Sequence, residues 1–200
     1  MADALRGRTA LGSAPGSLRT HGLPGVLTLS ELVPTGMIDL RCDPADKAVM
    51  ATAQNALGFE LPTTPGKSNA HGSREALWFG PDQWLIVAPA ADVPTILGTL
   101  DSGAVSATDV SDLRAAFELK GPHATDVLRK GCGIDLHPRA FGPGDCALTA
   151  LGRTRIALLQ IDKAPTYRVW VERSVAPYLW DWLVDAMTSF IGQPTPPPGS

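Results

Sequence analysis

The sequence predicts an α+β fold made of two similar strand-helix-strand-strand-helix halves around mostly antiparallel sheet. Three observations predict it. Short apolar runs carry the two-residue period of strands, helical stretches open on acid–proline or glycine–proline pairs, and the same order of elements recurs after 75 to 79 residues. The chain has 200 residues, enough for one domain or two small halves packed as one.

In the first half, Met37-Ile38-Asp39-Leu40-Arg41 alternates like a strand. Asp43-Pro44 supplies a cap and a first-turn proline for an alanine-rich helix to about Leu57, and Gly58 stops it. Pro62 to Ser73 reads as a loop. The apolar runs Ala76-Leu77-Trp78-Phe79 and Trp84-Leu85-Ile86-Val87 flank Gly80-Pro81-Asp82-Gln83 as a hairpin. Asp92-Val93-Pro94 opens a second helix to about Leu100, and a strand follows over Val105 to Val110.

The second half repeats the plan. Ala115 to Leu119 is a strand, Gly121-Pro122 opens a helix that Gly131 ends, and a Gly- and Pro-containing loop runs from Gly133 to Asp145. Strands follow at Ala147–Leu151, Ile156–Ile161 and Tyr167–Val171, then a helix from about Val175 to Phe190 with Leu179, Leu183 and Met187 on one stripe. Leu40 and Leu119, Pro44 and Pro122, Leu61 and Leu136, and Pro62 and Pro138 are the matched positions, at shifts of 79, 78, 75 and 76. The expected organisation is a disordered tail over 1–28, a first half over 29–110, a second half over 111–191, and a disordered proline-rich tail over 192–200.

Composition excludes several classes. Seventeen basic against 20 acidic residues, a net charge of −3, leave no electrostatic footprint for nucleic acid. No apolar run reaches the ~18 residues of a membrane span. The stretch from Met1 to Pro24 lacks the apolar core of a secretory signal and reads as a disordered tail rather than a transit peptide. Three widely spaced cysteines, Cys42, Cys132 and Cys146, suit a reducing cytoplasm better than a disulfide framework.

Candidate chemistry is sparse. Gly66-Lys67-Ser68 resembles the end of a phosphate-binding loop, but Leu61 stands where the first glycine is needed. Gly142-Pro143-Gly144 fails as a dinucleotide fingerprint, because Pro143 has no amide donor and Ala147 replaces the third glycine. Cys132, His137 and Cys146 lack the paired spacing of a zinc site. Cys132 at a helix C-terminus is poorly placed to act as a nucleophile.

Two features point to a partner surface. Trp180 and Trp182 are two apart on a helix, so about 200° separates them; one faces the core and the other solvent or a partner. The loop from Gly133 to Asp145 is long, stiffened by Pro138 and Pro143, and carries Ile134, Leu136 and Phe141 among His137 and Arg139. Ile134, His137, Arg139, Phe141 and Trp182 are therefore the candidate interface residues. The competing reading, in which Leu136 and Phe141 plug the chain's own core, stays open at this point.

The segment Lys130 to Cys146, with Gly121-Pro122 before it, Tyr178-Leu179-Trp180-Asp181-Trp182-Leu183 after it and Gly80-Pro81-Asp82-Gln83-Trp84 upstream, resembles the sarcosine oxidase gamma subunit family. The resemblance spans about Leu29 to Phe190, and Asp112-Leu113-Arg114 departs from the more polar turn it implies. It implies a fold like that of the glycine-cleavage aminomethyltransferase. It also implies a place in a heterotetramer with alpha, beta and delta subunits, which demethylates sarcosine to glycine, passes the one-carbon unit to tetrahydrofolate and makes hydrogen peroxide. FAD, FMN, NAD, tetrahydrofolate and zinc are expected in the other subunits. No catalytic, cofactor or metal residue of the family maps onto this chain, which is expected to be a non-catalytic structural subunit. The alternatives are a free-standing folate-binding or aminomethyltransferase-like protein, for which Asp109 and Asp112 are the acids to nominate, and a transient assembly factor.

Overall fold

Leu40 and Leu119 are each buried one residue before the end of an interior strand, and these two strands hold equivalent places in their sheets. The computed structural model describes residues 9–12, 17–101 and 103–191. In chain order the elements are β1 (Thr20–Leu23), β2 (Leu27–Glu31), β3 (Gly36–Arg41), α1 (Lys47–Leu57), β4 (Ser68–His71), β5 (Arg74–Gly80), β6 (Gln83–Ala88), α2 (Val93–Leu100), β7 (Ser106–Asp109), β8 (Arg114–Lys120), α3 (Ala124–Arg129), β9 (Cys146–Leu151), β10 (Thr154–Asp162), β11 (Thr166–Glu172) and α4 (Ala176–Met187). Short 3₁₀ turns at Ala90–Asp92 and Arg173–Val175 lead into α2 and α4.

The chain forms two units. Of the described residues, one holds those of Pro34–Leu113 with Gly144–Ala147; the other holds those up to Val33, Arg114–Pro143, and Leu148 to Ile191. Their sheets have the orders β4-β5-β6-β3-β7 and β1-β2-β8-β11-β10-β9. Set side by side, β9, β10, β11, β8 and β2 take the places of β4, β5, β6, β3 and β7. The registers agree residue by residue at the 79-residue shift. Ile38, Asp39, Leu40 and Arg41 oppose Asp109, Thr108, Ala107 and Ser106. Phe117, Glu118, Leu119 and Lys120 oppose Glu31, Ser30, Leu29 and Thr28. Apolar, acidic, apolar and basic positions recur on the central strand, and hydroxyl and carboxylate positions recur on its neighbour.

The expected α+β class with mostly antiparallel sheet is what the structure shows. The tail expected over 1–28 is not: residues 20–31 form β1 and β2, and β2 completes the sheet of the second half. That half therefore takes its last strand from the N-terminal segment, where the order of elements in the sequence gives no hint of it. Leu11 is buried as well, and Arg19 donates to its carbonyl at 2.9 Å. The proline-rich tail over 192–200 and residues 1–8 and 13–16 lie outside the described residues.

Local chemistry explains the ends of the helices. Asp46, not Asp43, caps α1, accepting from the amides of Ala48 and Val49 at 2.9 and 3.2 Å. Asp43 instead closes a turn onto the Ala45 amide, so the helix begins at Lys47 and not at Pro44. Gly58 ends it with φ at 86°, a left-handed conformation that glycine adopts without cost. Arg74 braces the same end, donating to the carbonyls of Ala56 and Leu57 and pairing with Asp92 at 2.8 Å. The loop expected over 62–73 contains β4, whose four polar or small residues carry no apolar alternation.

Candidate partner interface

The nominated residues fall in one unit. The chain leaves α3 through Lys130 and Gly131 and is stitched to the end of β9: Gly152 donates to the Gly131 carbonyl at 3.1 Å, and Gly133 donates to that of Ala150 at 3.1 Å. From there the loop turns on itself. The His137 amide is held by Asp135 Oδ1 at 2.8 Å, and the His137 carbonyl receives the amides of Ala140 and Phe141 at 2.7 and 3.0 Å. The Arg139 amide donates to His137 Nδ1 at 3.2 Å. This self-bonded turn leaves His137 and Arg139 exposed and Ile134 half-buried.

Phe141 is different. It is only 6% exposed, and Leu136 only 2%. Both aromatic and aliphatic anchors of the loop are spent on the chain's own core, so Phe141 offers a partner almost no surface. Its nomination is corrected accordingly: the loop presents Ile134, His137 and Arg139, and Phe141 holds it down.

The tryptophan pair divides as its spacing requires. Trp180 is buried, edge-to-face with Phe117 at 5.5 Å between ring centroids. Trp182 is half-buried and lies over two glycines. A Cβ on Gly131 would come within 2.6 Å of its Cζ2, and one on Gly152 within 3.3 Å of its Nε1. One helical turn earlier, Tyr178 is 39% exposed, and its hydroxyl accepts from the Arg153 amide at 3.1 Å. Tyr178 was missed in the sequence, although its four-residue spacing from Trp182 places both rings on one face of α4. The two rings form a braced aromatic ledge with polar tips.

The residues weighed for chemistry are occupied otherwise. Lys67 is ion-paired with Asp145, and Ser68 donates to the Gly144 carbonyl through both its amide and its hydroxyl, each at 2.9 Å. Gly66-Lys67-Ser68 is thus half of a β pairing rather than a phosphate cradle. Asp109 Oδ1 accepts from the Ser111 amide at 2.9 Å and hydroxyl at 2.5 Å, a turn role; Asp112 is exposed. All three cysteines are unbridged. Cys146 is buried with its thiol on the Lys67 and Trp78 carbonyls, and burial pushes its pKa up to about 11. Burial, then the carboxylates of Asp43 and Asp82, raises that of Cys42 too. Among the described residues no group of three or more His, Cys, Asp or Glu side chains is placed to hold a metal ion, and no helix is long and apolar enough to cross a membrane.

Residues 41–189 match the family described as sarcosine oxidase, gamma subunit. The chain belongs to that family. It is 34% identical over 167 residues to the sarcosine oxidase subunit gamma of Corynebacterium sp. strain U-96, covering 82% of this chain and 80% of that one. It is 33% identical over 172 residues to the subunit gamma of an Arthrobacter species, covering 83% and 82%. Among solved structures it superposes on a chain of the heterotetrameric sarcosine oxidase of Corynebacterium sp. U-96, in complex with pyrrole 2-carboxylate, with a TM-score of 0.78 and 32% identity over 85% of this chain and 88% of that one. The glycine cleavage system aminomethyltransferase T of Bartonella henselae shares the fold, with a TM-score of 0.60 at 13% identity over 77% of this chain and 44% of that one.

Proposed function

We propose that the chain is the gamma subunit of a heterotetrameric sarcosine oxidase and serves the complex structurally, without carrying its chemistry. The observation behind this reading is the match, along nearly the whole length of both chains, to a subunit of such a tetramer. The groups that could have done chemistry support it. The buried thiol of Cys146 is held protonated, Lys67 is committed to Asp145, and Asp109 to its own turn. The partners are then the alpha, beta and delta subunits. The other chains oxidise sarcosine to glycine, pass the one-carbon unit to tetrahydrofolate and make hydrogen peroxide, and they hold FAD, FMN, NAD, tetrahydrofolate and zinc. The exposed His137 and Arg139, the half-buried Ile134 and the Tyr178–Trp182 ledge are the surfaces offered to them.

Co-expression with the three other subunits tests this. The chain should copurify in fixed stoichiometry with a flavin-containing complex that consumes sarcosine, and expressed alone it should be colourless, inactive and unresponsive to folate titration. Amine oxidase activity or a flavin spectrum from the lone chain would overturn the reading.

A further inference from the structure

Strands β2 and β7 stand at the same place in the two sheets, and they are treated differently. The outer edge of β2 is covered by β1, with Thr20, His21, Gly22 and Leu23 opposite Ser30, Leu29, Thr28 and Leu27. β7 ends its sheet.

The direction of the backbone groups on β7 follows from one bond. The Val110 amide donates to the Met37 carbonyl at 2.8 Å. Amides alternate in direction along an antiparallel strand. Those of Ser106 and Thr108 therefore also turn toward β3, and those of Ala107 and Asp109 turn outward. The sister strand shows the same pattern in use: Leu32, equivalent to Val110, donates inward to Ala116 at 2.9 Å, while Glu31, equivalent to Asp109, donates outward to Arg19 at 2.8 Å.

β7 is a short edge of four residues that ends on Asp109, but nothing within it bars a further strand. Its sequence, Ser-Ala-Thr-Asp, has no proline and no lysine, and its register is unbroken. The opposite end of the same sheet is treated differently, since Gly66 just before β4 and Ser68 at its start are bonded to Cys146 and Gly144. Next to Ala107, on the α2 side, lies a hollow of about 300 Å³ lined by Leu97, Gly98, Leu100, Asp101, Val105 and Ala107. In the sister sheet the residue opposite the equivalent Leu29 is His21, on β1.

We infer that the outer edge of β7 receives an antiparallel strand of about four residues from a partner subunit, as β2 receives β1. This rests on reading the chain as a subunit. The residue opposite Ala107 drops an apolar side chain into the hollow, and its neighbours point to the polar face, where Ser106 and Thr108 oppose Arg41 and Asp39. The segment is basic: Asp101 and Asp109 flank the edge and β7 carries no cation, a charge that a second copy of the same edge would double.

Backbone hydrogen exchange in the lone chain and in the assembled oxidase tests the inference. The amides of Ala107 and Asp109 should exchange quickly in the lone chain and slow by roughly tenfold or more on assembly. Ala107→Pro removes only an outward donor, so the lone chain should keep its fold while association weakens by roughly tenfold or more. Thr108→Pro breaks a bond to β3 and should unsettle the lone chain instead. Exchange in the assembled complex at the lone-chain rate overturns the inference even if Ala107→Pro fails to fold, as does unchanged association of a folded Ala107→Pro. Protection that grows with concentration in the lone chain would assign the edge to a second copy, and protection lost on removing residues 192–200 would assign it to the chain's own end; either overturns it. Failure of the unaltered chain to assemble at all refutes the subunit reading, and this inference with it; an assembled complex with unprotected amides refutes this inference alone.

Discussion

Trp182 lies so close over Gly131 that a Cβ there would come within 2.6 Å of the indole Cζ2. The same ring is 3.3 Å from the position of a Cβ on Gly152, and the Tyr178 hydroxyl is 2.9 Å from it. Two glycines thus set how deeply the ledge on α4 can settle, and settling leaves the indole half-exposed rather than fully so.

Gly131→Ala should lift Trp182 from its seat. Overpacking of this kind costs about 1–3 kcal/mol. A red-shifted tryptophan emission together with a lowered melting temperature is the expected result, and no change in either would mean that the ledge is soft. Gly152 has φ at 59°, so Gly152→Ala adds backbone strain to the clash and should cost more.

The loop over 133–145 separates into a surface part and a packed part. Arg139 is exposed and donates its amide to His137, a bond that a change of side chain leaves in place. Arg139→Ala should leave the thermal stability of the lone chain within about 0.5 kcal/mol and weaken assembly with the larger subunits. Phe141→Ala should instead lower the stability of the lone chain by about 3 kcal/mol or more. Thermal melts paired with a binding titration distinguish the two; a melt insensitive to Phe141→Ala would return that ring to the interface.

The two acids ahead of α1 differ in a way that mutation can read. Asp46 holds two helix amides, and Asp43 holds one turn amide. Asp46→Ala should cost about 1 kcal/mol, and Asp43→Ala distinctly less. Equal costs in denaturant unfolding would contradict the assignment of the cap.

These examples show what the sequence made legible. Strands buried on one face or both, such as those around Leu40, Leu119 and Trp84, announce themselves through period and apolar content. The four-residue β1 and β4 do not, since Thr20-His21-Gly22-Leu23 and Ser68-Asn69-Ala70-His71 have too little apolar pattern to read, and each is defined by its neighbour. β2 was hidden for another reason: Leu29 is matched to Leu119, 90 positions away, and only long-range pairing reveals a strand that completes the far half. Asp43-Pro44 and Asp46 are both plausible caps by composition, and only backbone geometry chooses between them. Phe141 is the sharpest case, because an aromatic in a stiff loop is equally suited to a partner and to its own core, and burial is a property of the folded chain. Trp180 and Trp182 were resolvable as a pair by helical angle, while which of them turned inward waited on Phe117.

Cys146 gives the last expectation its pH dependence. The thiol is buried on two carbonyl oxygens, and its pKa rises from an ordinary value of 9.0 to about 11. Burial is the main cause, opposed by the bond to Trp78 and assisted by the Asp145 carboxylate. The folded state holds this proton more tightly than the unfolded chain, so the contribution to stability is complete below about pH 9 and is lost as the pH rises toward 11. Two pKa units correspond to about 2–3 kcal/mol. Burial raises the Tyr167 hydroxyl as well, against the opposing bond to Thr125, which adds a loss of the same sign above pH 10. Unfolding free energies of the unaltered chain should therefore fall between pH 9 and 11, and those of Cys146→Ala should fall less over the same window. Below pH 9 a thiol reagent should modify Cys146 only through unfolding, at a rate that tracks the stability of the chain. Rapid labelling of Cys146 in the folded chain at pH 8, or identical slopes for the two proteins between pH 9 and 11, would remove this thiol from the account.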